Sequence, residues 1–205
     1  MAPLEKNTTR MMHIIDHLRT FSRQSTKSFS NVDLVEIVEE ALLLIGVQLR
    51  NRNIEIHRDF QPDLPKIQGN ANQLEQVFLN LFMNARDAIL TRSQNPAESP
   101  NRRGRINVTL RLSPGGGDRL EVLFEDDGCG IPEEIQEKVF DPFFTTKEVG
   151  KGTGLGLSIS YGIIEDHGGR IAVDRSSGDG TAFRIVLPVN SGPPRRRQRG
   201  AQWGR

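Results

Sequence analysis

Residues 71–91 constrain this chain more tightly than any other stretch, because one helix there must satisfy two faces at once. Leu74, Val77, Phe78, Leu81, Phe82, Ala85, Ala88 and Ile89 follow the i, i+3, i+4 rule of a helix packed on a core. Gln73, Gln76, Asn80, Asn84 and Asp87 recur at spacings of 3, 4, 4 and 3 on another face. A plain solvated helix side accounts for any one of these polar residues. Two amides one turn apart, Asn80 and Asn84, allow a second reading, since neutral oxygens can complete a magnesium shell already filled mainly by phosphate and water.

Around that helix there is material for one domain with attachments, or two small ones. The chain has 205 residues and is 36% AVILMFWYC, and with 20 Gly its apolar fraction is that of an ordinary globular protein. A single cysteine, Cys129, excludes an intrachain disulfide framework and a cysteine zinc cluster. The longest apolar run, Ala41 to Val47, is far shorter than the roughly 20 residues of a membrane helix. No signal-peptide pattern occurs at the start, so a cytoplasmic setting without membrane contact is the expectation. The formal net charge of +1 averages a mildly acidic body with an Arg-rich end after residue 194, which argues against a nucleic-acid-binding face on the folded part.

The pattern along the chain predicts helix, strand, helix, strand, strand, helix, strand, strand. Residues 4–24 read as a helix with a narrow seam of Leu4, Met11, Ile14, Leu18 and Phe21. Residues 25–31 read as a polar linker. A helix is expected at about 33–51 with Leu34, Ile37, Val38, Ala41, Leu42, Ile45 and Leu49 inward, then a strand at Ile54 and Ile56 closed by Pro62 and Pro65. After an exposed loop at 92–104 come strands at about 105–112 and 119–126, joined by a Gly-rich hairpin. A helix at about 154–166, ended by Gly168-Gly169, precedes strands at about 170–175 and 181–188. This order implies an α/β two-layer sandwich, a mixed sheet with helices on one face.

Two glycine-rich segments carry chemistry. In Glu-Asp-Asp-Gly-Cys-Gly-Ile-Pro at 125–132, Gly128 and Gly130 would let a ligand lie against the backbone while Asp126, an acceptor only, favours a group bearing an amine. The bland alternative is a flexible turn. In Gly-Lys-Gly-Thr-Gly-Leu-Gly-Leu-Ser at 150–158, successive amides opening a helix form a phosphate cradle. No GxxxxGK[ST] occurs, nor a GxGxxG after a strand, and His57-Arg58-Asp59 lacks the partners of a serine/threonine kinase loop. His13 and His17 share a helix face without the Glu of a zinc protease, and His167 reads as support for a helix C-terminus.

Taken together, Asn80-Leu-Phe-Met-Asn84-Ala-Arg-Asp87-Ala, Asp126-Asp-Gly128-Cys-Gly130-Ile131-Pro, Phe140-Asp-Pro-Phe-Phe-Thr-Thr-Lys147, Gly152-Thr-Gly154-Leu-Gly156-Leu-Ser-Ile and Gly178-Asp-Gly180-Thr181 resemble, in order and spacing, the boxes of a sensor histidine kinase ATP-binding domain. The resemblance implies a Bergerat-type fold, shared with gyrase, the ninety-kilodalton heat-shock chaperone and mismatch-repair ATPases. It implies ATP and Mg2+ as cofactors, with Asn84 on the metal and Asn80 beside it at metal and phosphates. Asp126 would accept from the exocyclic amine of adenine with Thr181 assisting through water, and Gly128, Gly130 and Ile131 would flank the base. Asp87 falls in the nucleotide set. Phe143, Phe144 and Lys147 would lie in a lid, Lys147 facing the phosphates, with Gly152, Thr153, Gly154, Leu155, Gly156 and Leu157 meeting them. Asn80, Asn84 and Lys147 would form the catalytic set.

The resemblance also divides the chain. Residues 1–24 resemble the second helix of a dimerisation and phosphotransfer hairpin, 25–31 a linker, 32–190 the ATP-binding domain, and 191–205 a basic disordered tail. The hairpin's first helix, which bears the phosphoacceptor His, is missing from this sequence; His13 and His17 are followed by Ile14 and Leu18 rather than an acid. The implied reaction moves the ATP γ-phosphoryl group to a histidine outside this chain, for relay to a response regulator receiver domain, within a homodimer. Autophosphorylation of this chain alone is not expected. An ATP hydrolase is the first alternative, disfavoured because those relatives place Glu at the position of Asn80. A nucleotide-binding interaction module without transfer is the second.

Overall fold

The computed structural model describes residues 29–93, 102–114, 118–147, 152–177 and 179–189. The expectations for residues 1–24, His13 and His17, most of the linker, Gly150, Lys151, Gly178 and the tail from 191 lie outside them. Strand β1 (Ser30–Val32) leads to α1 (Leu34–Asn51), whose entry is fixed by Asp33: its carboxylate accepts from the Val35 N–H at 2.9 Å. The seven apolar residues read as the inner face of this helix are all buried. Strand β2 (Ile54–Phe60), β3 (Ile67–Gly69) and α2 (Ala71–Ser93) follow, with Asn70 accepting from the Gln73 N–H to start the long helix.

Strands β4 (Gly104–Leu112) and β5 (Arg119–Asp126), two single 3-10 turns at Glu133–Ile135 and Lys138–Phe140, α3 (Gly156–Asp166), β6 (Arg170–Ser177) and β7 (Gly180–Pro188) complete the order. Five strands pair as β2-β4-β5-β7-β6, parallel between β2 and β4 and antiparallel elsewhere. The sheet is mixed, as expected. Ile106, Val108, Leu110, Val122, Phe124, Ile185 and Leu187 point from one face into a core closed by the three helices, with α2 between α1 and α3. Phe82 of α2 meets Phe124 of β5 edge-on, centroids 4.9 Å apart.

Three expectations change. The polar stretch 25–31 is not linker to its end, because Ser30 and Asn31 pair with β3 in a separate two-stranded antiparallel sheet. Helix α3 begins at Gly156 rather than 154, since Gly154 has φ +65° and turns the chain before the helix starts. Strands β6 and β7 run to a tight hairpin with Ser177 opposite Gly180. The end of α3 is as read: Gly168 takes φ +69°, and the His167 ring nitrogen Nδ1 lies 2.7 Å from the Ile163 carbonyl. His167 also accepts from the Asn70 N–H through Nε2, tying the end of α3 to the start of α2.

Candidate functional site

The C-terminal end of β5, the second half of α2, and the segment leading into α3 converge on one side of the molecule. Asp126 closes β5 opposite Thr181 of β7. Its Oδ1 accepts from the Gly128 N–H at 2.9 Å, and no cation stands against it among the described residues. Burial pushes its carboxyl up to about 6, with the neighbouring Asp127 adding to the rise and the Gly128 and Thr181 backbone opposing it.

The glycines beside Asp126 are required by contact. A Cβ on Gly128 would lie 2.5 Å from the Cβ of Ala88 on α2. On Gly130, at φ +75°, a Cβ would lie 1.8 Å from the Ser177 carbonyl oxygen. Cys129 donates its N–H to the Ala88 carbonyl, and Ile131 donates to Ser176 Oγ at 2.6 Å, which lies 3.2 Å from Thr181 Oγ1. Backbone is therefore packed on backbone around an acceptor. The glycines thus let the loop close tightly beside the Asp126 carboxylate.

On α2, one turn separates two amides with different surroundings. Asn80 is buried, and its Nδ2 donates to the Gly156 carbonyl at 3.1 Å and to Ser160 Oγ at 3.2 Å. Asn80 thus anchors the first turn of α3, the end where free backbone N–H groups gather. Asn84 is partly buried and has no side-chain partner among the described residues. One turn further, Asp87 accepts from Lys147 Nζ at 2.5 Å and from Arg86 at 2.8 and 3.0 Å. Burial alone would raise Asp87, but these two cations hold its carboxyl below the ordinary range.

Lys147 thereby sits on the same helix face as Asn84. Behind it, Phe143 donates its N–H to the Gly154 carbonyl at 2.9 Å. A Cβ on Gly154 would lie 2.4 Å from the Phe143 backbone, and one on Gly152 would lie 2.6 Å from Thr145 Oγ1. Phe143 has φ +68°, uncommon for an aromatic residue, and its side chain is exposed. Leu155 and Leu157 are partly buried, the latter against the core.

The structure thus brings Asp126, Gly128, Gly130, Ile131 and Thr181 into one cluster, and Asn84, Asp87, Lys147 and the start of α3 into another, joined by α2. Sequence reasoning missed Ser160, Ser176, Arg86 and Arg92, which hold the named residues in place. Ser160 had one available signal, its position one helical turn beyond Gly156. The described residues contain no group of three His, Cys, Asp or Glu side chains able to hold a metal ion. A divalent cation here would rest on neutral amide oxygen and on oxygens brought with it, which the uncommitted amide of Asn84 suits.

Residues 69–191 match the family described as histidine kinase-, DNA gyrase B-, and HSP90-like ATPase. The chain is 39% identical over 186 residues to sensor kinase CckA of Brucella abortus (strain 2308), aligning over 90% of this chain and 20% of that protein. Among solved structures, the catalytic domain of histidine kinase ThkA superposes with a TM-score of 0.66 at 32% identity, covering 80% of this chain and 99% of that one. A structure of ThkA in complex with the response regulator protein TrrA gives a TM-score of 0.67 at 28% identity, over 90% of this chain and 48% of that one. The chain spans about a fifth of the length of the first sensor kinases it matches. No helix among the described residues is long and apolar enough to cross a membrane.

Proposed function

Since the chain belongs to the histidine kinase-, DNA gyrase B-, and HSP90-like ATPase family, we propose that it binds ATP with Mg2+ as the catalytic part of a sensor histidine kinase. The observation that carries this reading is Asp126, a carboxylate withdrawn from water and bonded by a backbone N–H, beside glycines whose missing side chains let the loop pack against Ala88 and Ser177. The γ-phosphoryl group would pass to a histidine on a helix outside this chain, and from there to a receiver domain of a response regulator. The working unit would be a homodimer with this catalytic part in the cytoplasm.

In this reading Asp126 accepts from the adenine amine, with Thr181 assisting, and Gly128, Gly130 and Ile131 flank the ring. Asn84 holds the metal and Asn80 fixes the start of α3, where backbone N–H groups face the phosphates. Magnesium, when bound, supplies charge neutralisation at the phosphates. Lys147, held over α2 by Asp87, contributes a second positive charge, while Phe143, Gly152, Thr153, Gly154, Leu155, Gly156 and Leu157 shape the cover over the phosphates. Catalysis in such a site is positioning and electrostatics more than covalent chemistry. An ATP hydrolase needs a base at position 80, and an amide whose nitrogen already donates to Gly156 and Ser160 cannot take a proton from water.

Calorimetry with Mg-ATP tests the first half: the chain should bind, and Asp126→Asn should weaken binding by at least about a hundredfold, since a charged acceptor is lost. Unchanged affinity would sink the adenine assignment. Labelled ATP tests the second half. Acid-labile phosphate should appear on a supplied acceptor hairpin of a sensor kinase and not on this chain, and label on His13 or His17 would overturn the fragment reading.

A further inference from the structure

Arg92, in the last turn of α2, makes contacts that none of the roles above requires. Its side chain is 14% exposed. Nη1 donates to the Asp127 carbonyl at 3.1 Å and lies 3.5 Å from the Gly128 carbonyl, while Nη2 reaches Asp179 Oδ1 at 3.2 Å. One guanidinium thus spans three segments: the helix that carries Asn84, the loop that follows Asp126, and the turn between β6 and β7.

The Asp127 N–H donates to the Arg105 carbonyl and the Cys129 N–H to the Ala88 carbonyl, while the side chain that reaches the Asp127 carbonyl is that of Arg92. Gly128 rests on Ala88 from within, and Gly180 rests on the Asp126 carbonyl, where a Cβ would come within 1.9 Å. The Gly128 N–H bonded to Asp126 Oδ1 belongs to the peptide whose carbonyl is that of Asp127. Because a peptide is planar, a donor held on the Asp127 oxygen fixes where the Gly128 N–H points. That N–H holds Oδ1, and the Thr181 backbone also bonds the carboxylate. Asp127 is held separately, its Oδ1 accepting from the Arg105 N–H and its Oδ2 from Arg102.

We propose that Arg92 is a positioning residue for base recognition: by gripping the Asp127–Gly128 peptide it orients Asp126 toward the exocyclic amine of the bound adenine nucleotide. This rests on the ATP-binding reading and acts through Asp126, not by touching nucleotide.

The experiment compares affinities of the full chain for ATP and for a purine nucleoside triphosphate lacking the exocyclic amine, both with magnesium. The unsubstituted chain should prefer ATP. Arg92→Met, which retains the aliphatic stem, should cut that preference about tenfold, the scale of one hydrogen bond to a charged group, and Arg92→Lys should recover part of it. Urea unfolding identifies any variant that fails to fold, in which case the lysine variant carries the test. In an Asp126→Asn background, Arg92→Met should produce no further change in preference. An equal loss of affinity for both nucleotides, or a preference that persists, overturns the assignment. Absence of any preference in the unsubstituted chain overturns the adenine reading itself, and the role of Arg92 with it.

Discussion

Strand β5 carries Glu121 near one end and Asp126 at the other, and these two carboxylates have opposite surroundings. Glu121 is buried with 4% of its side chain exposed, yet Arg111 donates to Oε1 at 2.6 and 2.9 Å and Arg184 donates to Oε2 at 2.5 Å. Burial would raise its carboxyl, but the two guanidinium groups outweigh burial and hold it low. Asp126 has a backbone N–H and a neighbouring acid instead, and its carboxyl rises to about 6. A carboxylate already saturated by cations has its work inside the fold. One withdrawn from water without a cation keeps acceptor capacity for an incoming donor, at a cost in stability.

The two groups therefore load stability with opposite signs of pH dependence. Glu121, with its carboxyl lowered on folding, stabilises above its unfolded range, and that contribution is lost as pH falls through the lowered value. Asp126, with its carboxyl raised, stabilises most below about 4, and that contribution is lost as pH rises through about 6. Arg184→Met should make the first end resemble the second. Glu121 would keep only Arg111, at a cost of about 3 kcal/mol at neutral pH, the upper end for losing a hydrogen bond to a charged group. Urea unfolding should show the gap from the parent closing under acid, and a constant gap would mean that the loss is packing rather than charge.

Asp126→Asn is the converse change and the next in size. The amide can still accept from Gly128 through its oxygen while removing a charge that is poorly solvated. The variant should gain about 2 kcal/mol at pH 8 and nothing at pH 4, where the parent carboxyl is already neutral. This is a variant more stable and less able to bind, and unfolding curves at the two pH values decide it. A loss of stability at pH 8 would show that Asp126 is needed by the fold.

How much of this contrast is legible in the sequence depends on distance along the chain. Asp126, Gly128 and Gly130 sit in one short segment, so their chemistry can be read from composition and spacing, and the two faces of α2 follow from periodicity alone. Glu121 gives no such signal, because its partners lie 10 and 63 residues away. The same holds for Asn80, which spacing pairs with Asn84 but whose nitrogen donates to Gly156, 76 residues on, a partner that spacing does not reveal. Strands β1 and β3 are three residues each, too short to display alternation. Local chemistry is written locally, and the supports that hold it are not.

A third change turns the comparison toward binding. If the ionised Asp126 is what accepts from the base, affinity should fall as pH drops through about 6. The phosphates titrate too, so the ratio of affinities for ATP and for its amine-lacking analogue isolates the carboxylate. That ratio should fall about tenfold between pH 7 and pH 5, following the ionised fraction of a single group. A flat ratio would detach Asp126 from the amine.

The smallest effect lies at the margin of the Glu121 network. Asp174, at the irregularity between Val173 and Arg175 on β6, accepts from Arg184 Nε at 2.7 Å with 30% of its side chain exposed, and that bond holds its carboxyl low. Water reaches this pair, so Asp174→Asn should cost about 0.5 kcal/mol, as exposed pairs do. Arg184 would still bond Glu121. In an Arg184→Met background the same substitution should cost little further, since Arg184 is the guanidinium that bonds Asp174. A double-mutant cycle by urea unfolding measures the coupling; a full-sized loss in the second background would mean that Asp174 supports the strand irregularity itself rather than the cation that Glu121 depends on.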